Sequence, residues 1–270
     1  MKYNFVFDES FLDNKMFDLS QDECDIIRAV ISGGHNICVR GYKPERIVNA
    51  IKAVINATNQ CPIEEPPSSI TIEGFCGGGA ELKKGSVSLA NNGILIMRDL
   101  DNFRSSVLSM LVVPMDNGNI LLSRGGNSVN YPAKFQLVAT LSGKDGDGIC
   151  TRSILNRCEI DYFCSQLSDR HLVKLDRLKS QIETDWTNHK CITNGLTYKN
   201  QEIDDISKLE FTSEALELYE NDIKENFATP LMIVKVARTL ADMRGHLRIR
   251  CADLEKAKTW HTSQITSQLW

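Results

Sequence analysis

Four apolar residues, Ile94-Leu95-Ile96-Met97, run directly into Arg98-Asp99, a permanent cation with five donors and no acceptor beside a carboxylate. A hard metal ion such as Mg²⁺ needs oxygen ligands, which the Asp99 carboxylate could supply and the guanidinium cannot. Upstream, Gly41-Tyr42-Lys43-Pro44-Glu45-Arg46 sets two cations around a turn. Such a turn could offer N–H groups to an anion, but Pro44 lacks that donor and Glu45 adds negative charge. Two further glycine-marked loops carry cations able to touch a nucleic-acid backbone: Gly77-Gly78-Gly79 precedes Lys83 and Lys84, and Arg124 precedes Gly125-Gly126. The remaining chemistry is sparse. Five histidines stand isolated, and Cys150, Cys158 and Cys164 are too widely spaced for paired zinc ligation, so no metal site is expected.

These residues need elements to position them. Cys24, Ile26, Ile27, Val30 and Ile31 recur at helical spacing and stop at Gly33-Gly34. The apolar run Ile37-Cys38-Val39 predicts a buried strand, and Ile47, Ala50, Ile51, Val54 and Ile55 predict a helix after Pro44. A Pro-rich loop (Pro62, Pro66, Pro67) leads to the triple glycine, then to strand Ile94–Met97 and a helix from Phe103 to Met115. Alternating segments 119–124 and 128–131 around Gly125-Gly126-Asn127 predict a β-hairpin, and 135–141 another strand. Strand-helix alternation implies a parallel sheet covered on both faces. From 212 to 262 the spacing is helical throughout, so residues 1–207 are expected to form the sheet-bearing core and residues 208–270 a small helical domain.

With 270 residues, 42% of them hydrophobic, the chain can bury a full core. Thirty-one basic against thirty-five acidic residues give a net charge of −4, which marks no global nucleic-acid binder. Nine scattered cysteines, without Cys-x-x-Cys, point to buried thiols in a reducing compartment. No apolar run approaches a membrane span. A cytoplasmic location and no membrane partner are the expectation.

In order along the chain, Gly33-Gly34-His35-Asn36, the segment from Pro62 to Gly79, Ser88-Leu89-Ala90-Asn91-Asn92-Gly93-Ile94-Leu95, Leu122-Ser123-Arg124 with Tyr131-Pro132-Ala133-Lys134-Phe135, and Val236-Ala237-Arg238-Thr239-Leu240-Ala241-Asp242 resemble the Mg-chelatase-like AAA+ ATPases, particularly the competence-related subgroup. The resemblance covers roughly residues 15–260. It implies an α/β P-loop-type αβα fold with a five-stranded parallel sheet, β-hairpin insertions, a C-terminal helical lid, and assembly with other AAA+ protomers.

The same resemblance exposes four departures. In the register set by His35-Asn36, only Gly41 of the phosphate-loop pattern remains; Ile47 stands where the phosphate lysine belongs and Val48 where the Mg²⁺-binding hydroxyl belongs. Losing that cation forfeits about 4 kcal/mol per charge pair at intermediate dielectric. Lys43 or Arg46 are the substitutes within reach. The family's metal-binding acid pair becomes Arg98-Asp99, and Arg98 is expected to pair with Asp99 or a neighbouring acid such as Glu45 and to replace the cation structurally. Ser142 takes the place of a water-orienting asparagine, and Lys174 that of the trans-acting arginine, without its fork geometry. Arg238, at the lid position that meets γ-phosphate in the family, is intact. The resulting expectation is a catalytically degenerate subunit serving as scaffold, regulator or inactive protomer, with no cofactor. The alternatives are an unconventional ATPase that binds ATP and Mg²⁺, and a nucleic-acid binding module using Lys83, Lys84 and Arg124.

Overall fold

The computed structural model describes residues 16–58, 61–142, 148–166, 169–192 and 203–261. Its centre is a five-stranded sheet built from β2 (Ile37–Gly41), β3 (Ile63–Glu64), β6 (Ile94–Met97), β9 (Gln136–Thr140) and β10 (Ile160–Cys164). In space the order is β10-β2-β9-β6-β3, and every pairing is parallel. Ile94–Met97 therefore lies inside the sheet, between β9 and the short edge strand β3.

Strand alternation divides the core in two. Ile37, Val39, Ile94, Ile96, Val138, Ile160 and Tyr162 face one apolar cluster, while Cys38, Leu95, Met97, Leu137 and Ala139 face the other. The first face is covered by α1 (Gln21–Gly33), α2 (Glu45–Thr58), α7 (Leu175–Ile192) and α10 (Pro230–Met243). The second lies under α5 (Ser105–Asn117) and α6 (Ile149–Leu155). α1 is closed at both ends by its sequence. Ser20 and Glu23 form a reciprocal capping box at its start, and Gly34, at φ 71°, ends it.

Two hairpins are inserted: β4 (Gly77–Gly78) with β5 (Lys83–Lys84), and β7 (Asn119–Arg124) with β8 (Asn127–Pro132). Gly125 and Gly126 take the positive φ that a two-residue hairpin turn demands. The Ser88–Gly93 segment proves to be a packed corner. Asn91 Oδ1 accepts from the Lys134 N–H at 2.9 Å, and a Cβ on Gly93 would lie 2.1 Å from the Pro62 carbonyl oxygen.

Four elements depart from the helical and strand periodicities. β10 carries Asp161 between its apolar residues, which hides it in the sequence, and β3 is only two residues long. Arg170–Lys174 forms β11, antiparallel to β1 (Met16–Ser20). The stretch 212–261 is broken helix: α8 (Ser213–Leu218) passes through a π-turn into α9 (Lys224–Asn226), Pro230 opens α10, and α11 (Cys251–Thr259) follows a bridge between Phe211 and Ile249. α10 packs on α1, α7 and α11.

Candidate functional site

The carboxyl ends of β2, β6 and β9 lie side by side, the usual place for a ligand on an open parallel sheet. After β6 the chain turns at once. Asp99 adopts φ 50°, a left-handed conformation that short Asp side chains tolerate, and its N–H donates to Thr140 Oγ1 at 2.8 Å. Arg98 then reaches the first turn of α2. It forms an ion pair with Glu45, donates from Nε to Glu65 Oε1 at 2.5 Å and from Nη2 to Asn49 Oδ1 at 2.9 Å. Thr140 Oγ1 donates to Glu45 Oε1 at 3.1 Å, and Lys52 pairs with Glu65 from the other side. Partial burial lowers the Arg98 pKa from its ordinary value, with Asp99 acting in the opposite sense. Arg98 thus meets Glu45, as the sequence suggested, and Glu65, which the sequence did not reveal.

The turn between β2 and α2 is only residues 42–44. Gly41 is there for backbone reasons: it sits at φ 95°, and a Cβ on it would approach the Cys164 carbonyl oxygen to 2.5 Å. The Tyr42 N–H donates to that same carbonyl at 2.9 Å. Ile47 and Val48 are fully buried in the first apolar cluster. Arg46 turns back beneath the loop, donating to the Lys43 carbonyl at 3.1 Å, the Tyr42 carbonyl at 3.2 Å and the Asp18 carbonyl at 2.8 Å. It also pairs with the buried Glu23 at 3.1 Å, which Arg170 flanks at 3.6 Å. Lys43 points outward, its Nζ 5.2 Å from the Tyr42 ring centre.

The other expected site residues scatter. Ser142 donates its hydroxyl to Asp101 at 2.7 Å and its N–H to the same carboxylate at 3.0 Å. Lys174 is exposed at the end of β11. Arg238 is buried, not solvated. It donates to Asp242 at 2.6 Å, to the Leu247 carbonyl at 2.8 Å and to the His246 carbonyl at 2.5 Å, tying α10 to the turn that follows it. Lys83 and Lys84 border a groove of about 440 Å³ floored by Gly77–Gly79, and Glu73 and Glu81 line the same groove. Tyr131 Oη donates to the Leu82 carbonyl at 2.9 Å, joining the two hairpins at the hairpin base. Arg124 lies at the tip, four residues along β7 from Ile120, the partner of Tyr131, which is about 14 Å away at strand rise.

The Gly-His-Asn segment serves the fold. His35 Nε2 lies 2.7 Å from Thr239 Oγ1 on α10, the Asn36 N–H donates to Glu159 at 2.8 Å, and Asn36 Oδ1 accepts from the Leu137 N–H at 2.8 Å. Cys158 and Cys164 are buried thiols whose pKa burial pushes up, that of Cys164 to about 12. Among the described residues no cluster of three metal-ligating side chains occurs, and no helix is long and apolar enough to cross a membrane.

With this geometry in place, the family model described as magnesium chelatase, subunit ChlI, matches residues 42–190, more than half of the chain. The chain belongs to that family. It is 39% identical over 83 residues to competence protein ComM of Haemophilus influenzae, covering 31% of this chain and 16% of that protein. It is 37% identical over 99 residues to the uncharacterized protein YifB of Escherichia coli, covering 34% and 20%. The matched segments are thus a small part of those relatives' length. Among solved structures, a candidate ATPase from Cytophaga hutchinsonii superposes with a TM-score of 0.56 at 12% identity, over 89% of this chain and 80% of that one, a likeness of fold. Fold and family are those of a Mg-chelatase-like AAA+ ATPase.

Proposed function

We propose that the chain acts by binding rather than by hydrolysis, as a scaffold, regulatory or inactive subunit beside other AAA+ protomers, with residues 208–270 as its lid and Lys174 left to meet a neighbour. The observation that carries this is Arg46. The turn that would wrap phosphate with N–H groups instead directs the Tyr42 and Lys43 carbonyls onto the chain's own guanidinium, and buried Glu23 holds that guanidinium in place.

Mg²⁺ and a triphosphate do not fit these residues. A metal ion requires hard oxygen ligands, and Arg98 puts a fixed positive charge at the end of β6. A phosphate requires N–H groups and cations, and Glu45 opens α2 with a carboxylate while Ile47 and Val48 are sealed in the core. Only Lys43 remains free to turn inward.

A titration with an ATP analogue, with and without Mg²⁺, alongside steady-state turnover, tests the proposal. No turnover above background and no Mg²⁺-dependent binding are expected. Turnover that vanished on Lys43→Ala would instead establish the unconventional ATPase. Lys43→Ala is the informative variant, because truncating Arg46 would also strip the partner of a buried carboxylate. The nucleic-acid reading has weaker support: the groove beside Lys83 and Lys84 holds two acids against two bases, so its formal charge cancels.

A further inference from the structure

The carboxyl end of β6 and the first turn of α2 are the two places that a metal-bound phosphate would link. Here they are already linked by the chain itself. Glu45 offers a carboxylate at the positive end of the α2 dipole, where an anion is favoured, and Arg98 supplies the cation facing it from β6. The pair does not stand alone. Glu65 and Asn49 take the other edges of the guanidinium, Thr140 joins Glu45 to the backbone of Asp99, and Lys52 steadies Glu65. Together these contacts join α2, β6, β9 and the start of the Pro-rich loop.

We propose that the Arg98–Glu45 pair is a built-in substitute for the metal–phosphate link, fastening β6 to α2 so that this site keeps one conformation regardless of nucleotide supply. The proposal rests on the non-hydrolysing reading above and adds how the vacated site is held. An isolated ion pair of this exposure would contribute little. A guanidinium that satisfies two carboxylates and an amide across separate elements, in a network, contributes more.

The charge balance supplies a specific test. Three carboxylates, Glu45, Glu65 and Asp99, face two cations, Arg98 and Lys52, so removing Arg98 leaves the acids in excess by two. Arg98→Met keeps the aliphatic stem and deletes the charge. It is expected to lower the melting temperature by about 3–6 °C, with Glu45→Gln costing a similar amount and the double variant clearly less than the sum. Millimolar Mg²⁺ should then raise the melting temperature of Arg98→Met, and not that of the parent, relative to NaCl at matched ionic strength. Additive effects of the two substitutions, or equal responses of parent and variant to Mg²⁺, would overturn the proposal. Parent protein that bound Mg·ATP would overturn the functional reading instead, so the two failures are distinguishable.

Discussion

Gly41 is the one phosphate-loop glycine retained in this chain, and its neighbours explain why without any phosphate. Its φ of 95° excludes most side chains, and a Cβ there would strike the Cys164 carbonyl that the Tyr42 N–H also uses. Gly41→Ala is therefore expected to destabilise the fold by about 1–3 kcal/mol through backbone strain and loss of the β2–β10 junction. Chemical denaturation measures it. An unchanged midpoint would show that neither the left-handed backbone nor the Cys164 contact requires glycine here. Arg98 carries a related lesson in legibility. Its pairing with Glu45 could be anticipated only as one alternative beside Asp99. Glu65 could not, since it is brought there by the two-residue strand β3, too short to show any periodicity.

At the scale of elements, the sequence disclosed those whose apolar residues are undiluted. Ile94–Met97 alternates between two buried clusters and is bounded by Gly93 and Arg98, so its span is visible in the residues alone. β10 was not visible, because Asp161 interrupts it, a carboxylate that pairs with Arg40 at 2.5 Å. The C-terminal helices were legible as helices but not in their breaks, which depend on the turn at 227–229 and on Arg238. That arginine shows how an intact motif position can be occupied by folding. With Asp242 and the His246 and Leu247 carbonyls as partners, it ties α10 to the turn that follows it. Arg238→Ala should therefore cost about 3 kcal/mol by leaving a buried carboxylate short of its cation, read as a shift in urea midpoint. Arg238→Lys should recover only part, since an ammonium lacks the fork that reaches Asp242 and both carbonyls at once. Full recovery by lysine would reduce the contact to simple charge.

At the scale of the whole molecule, one buried junction ties the sheet to the C-terminal helices. Glu159, at the head of β10, accepts from the Asn36 N–H, while its own carbonyl lies 3.2 Å from His261 Nδ1 beyond α11. His35 reaches Thr239 on α10, and Lys235 on α10 acts on both Glu159 and His35 through its charge. Burial pushes the Glu159 carboxyl up to about 7, against the opposing charge of Lys235. Burial, with the Lys235 charge, holds His35 down to about 3, and burial also lowers His261. The signs follow from linkage. A raised carboxyl contributes stability that is fully present below its unfolded pKa, near 4.5, and is lost as pH rises through about 7. The depressed histidines contribute stability that is present above about 6.5 and is lost as pH falls. Between about pH 4.5 and 6.5 the two trends oppose each other, so the carboxyl offsets part of the rise in stability that the histidines give. Glu159→Gln keeps an acceptor for Asn36 and removes the ionisation. It should match the parent near pH 4.5, exceed it by about 1–3 kcal/mol at pH 8, and show a steeper rise of stability with pH in between, as the histidine contribution is left unopposed. Urea denaturation at pH 4.5, 6 and 8 checks all three points. A difference between variant and parent that stayed constant across them would mean that Glu159 does not titrate in this range, and that the junction is held by geometry alone.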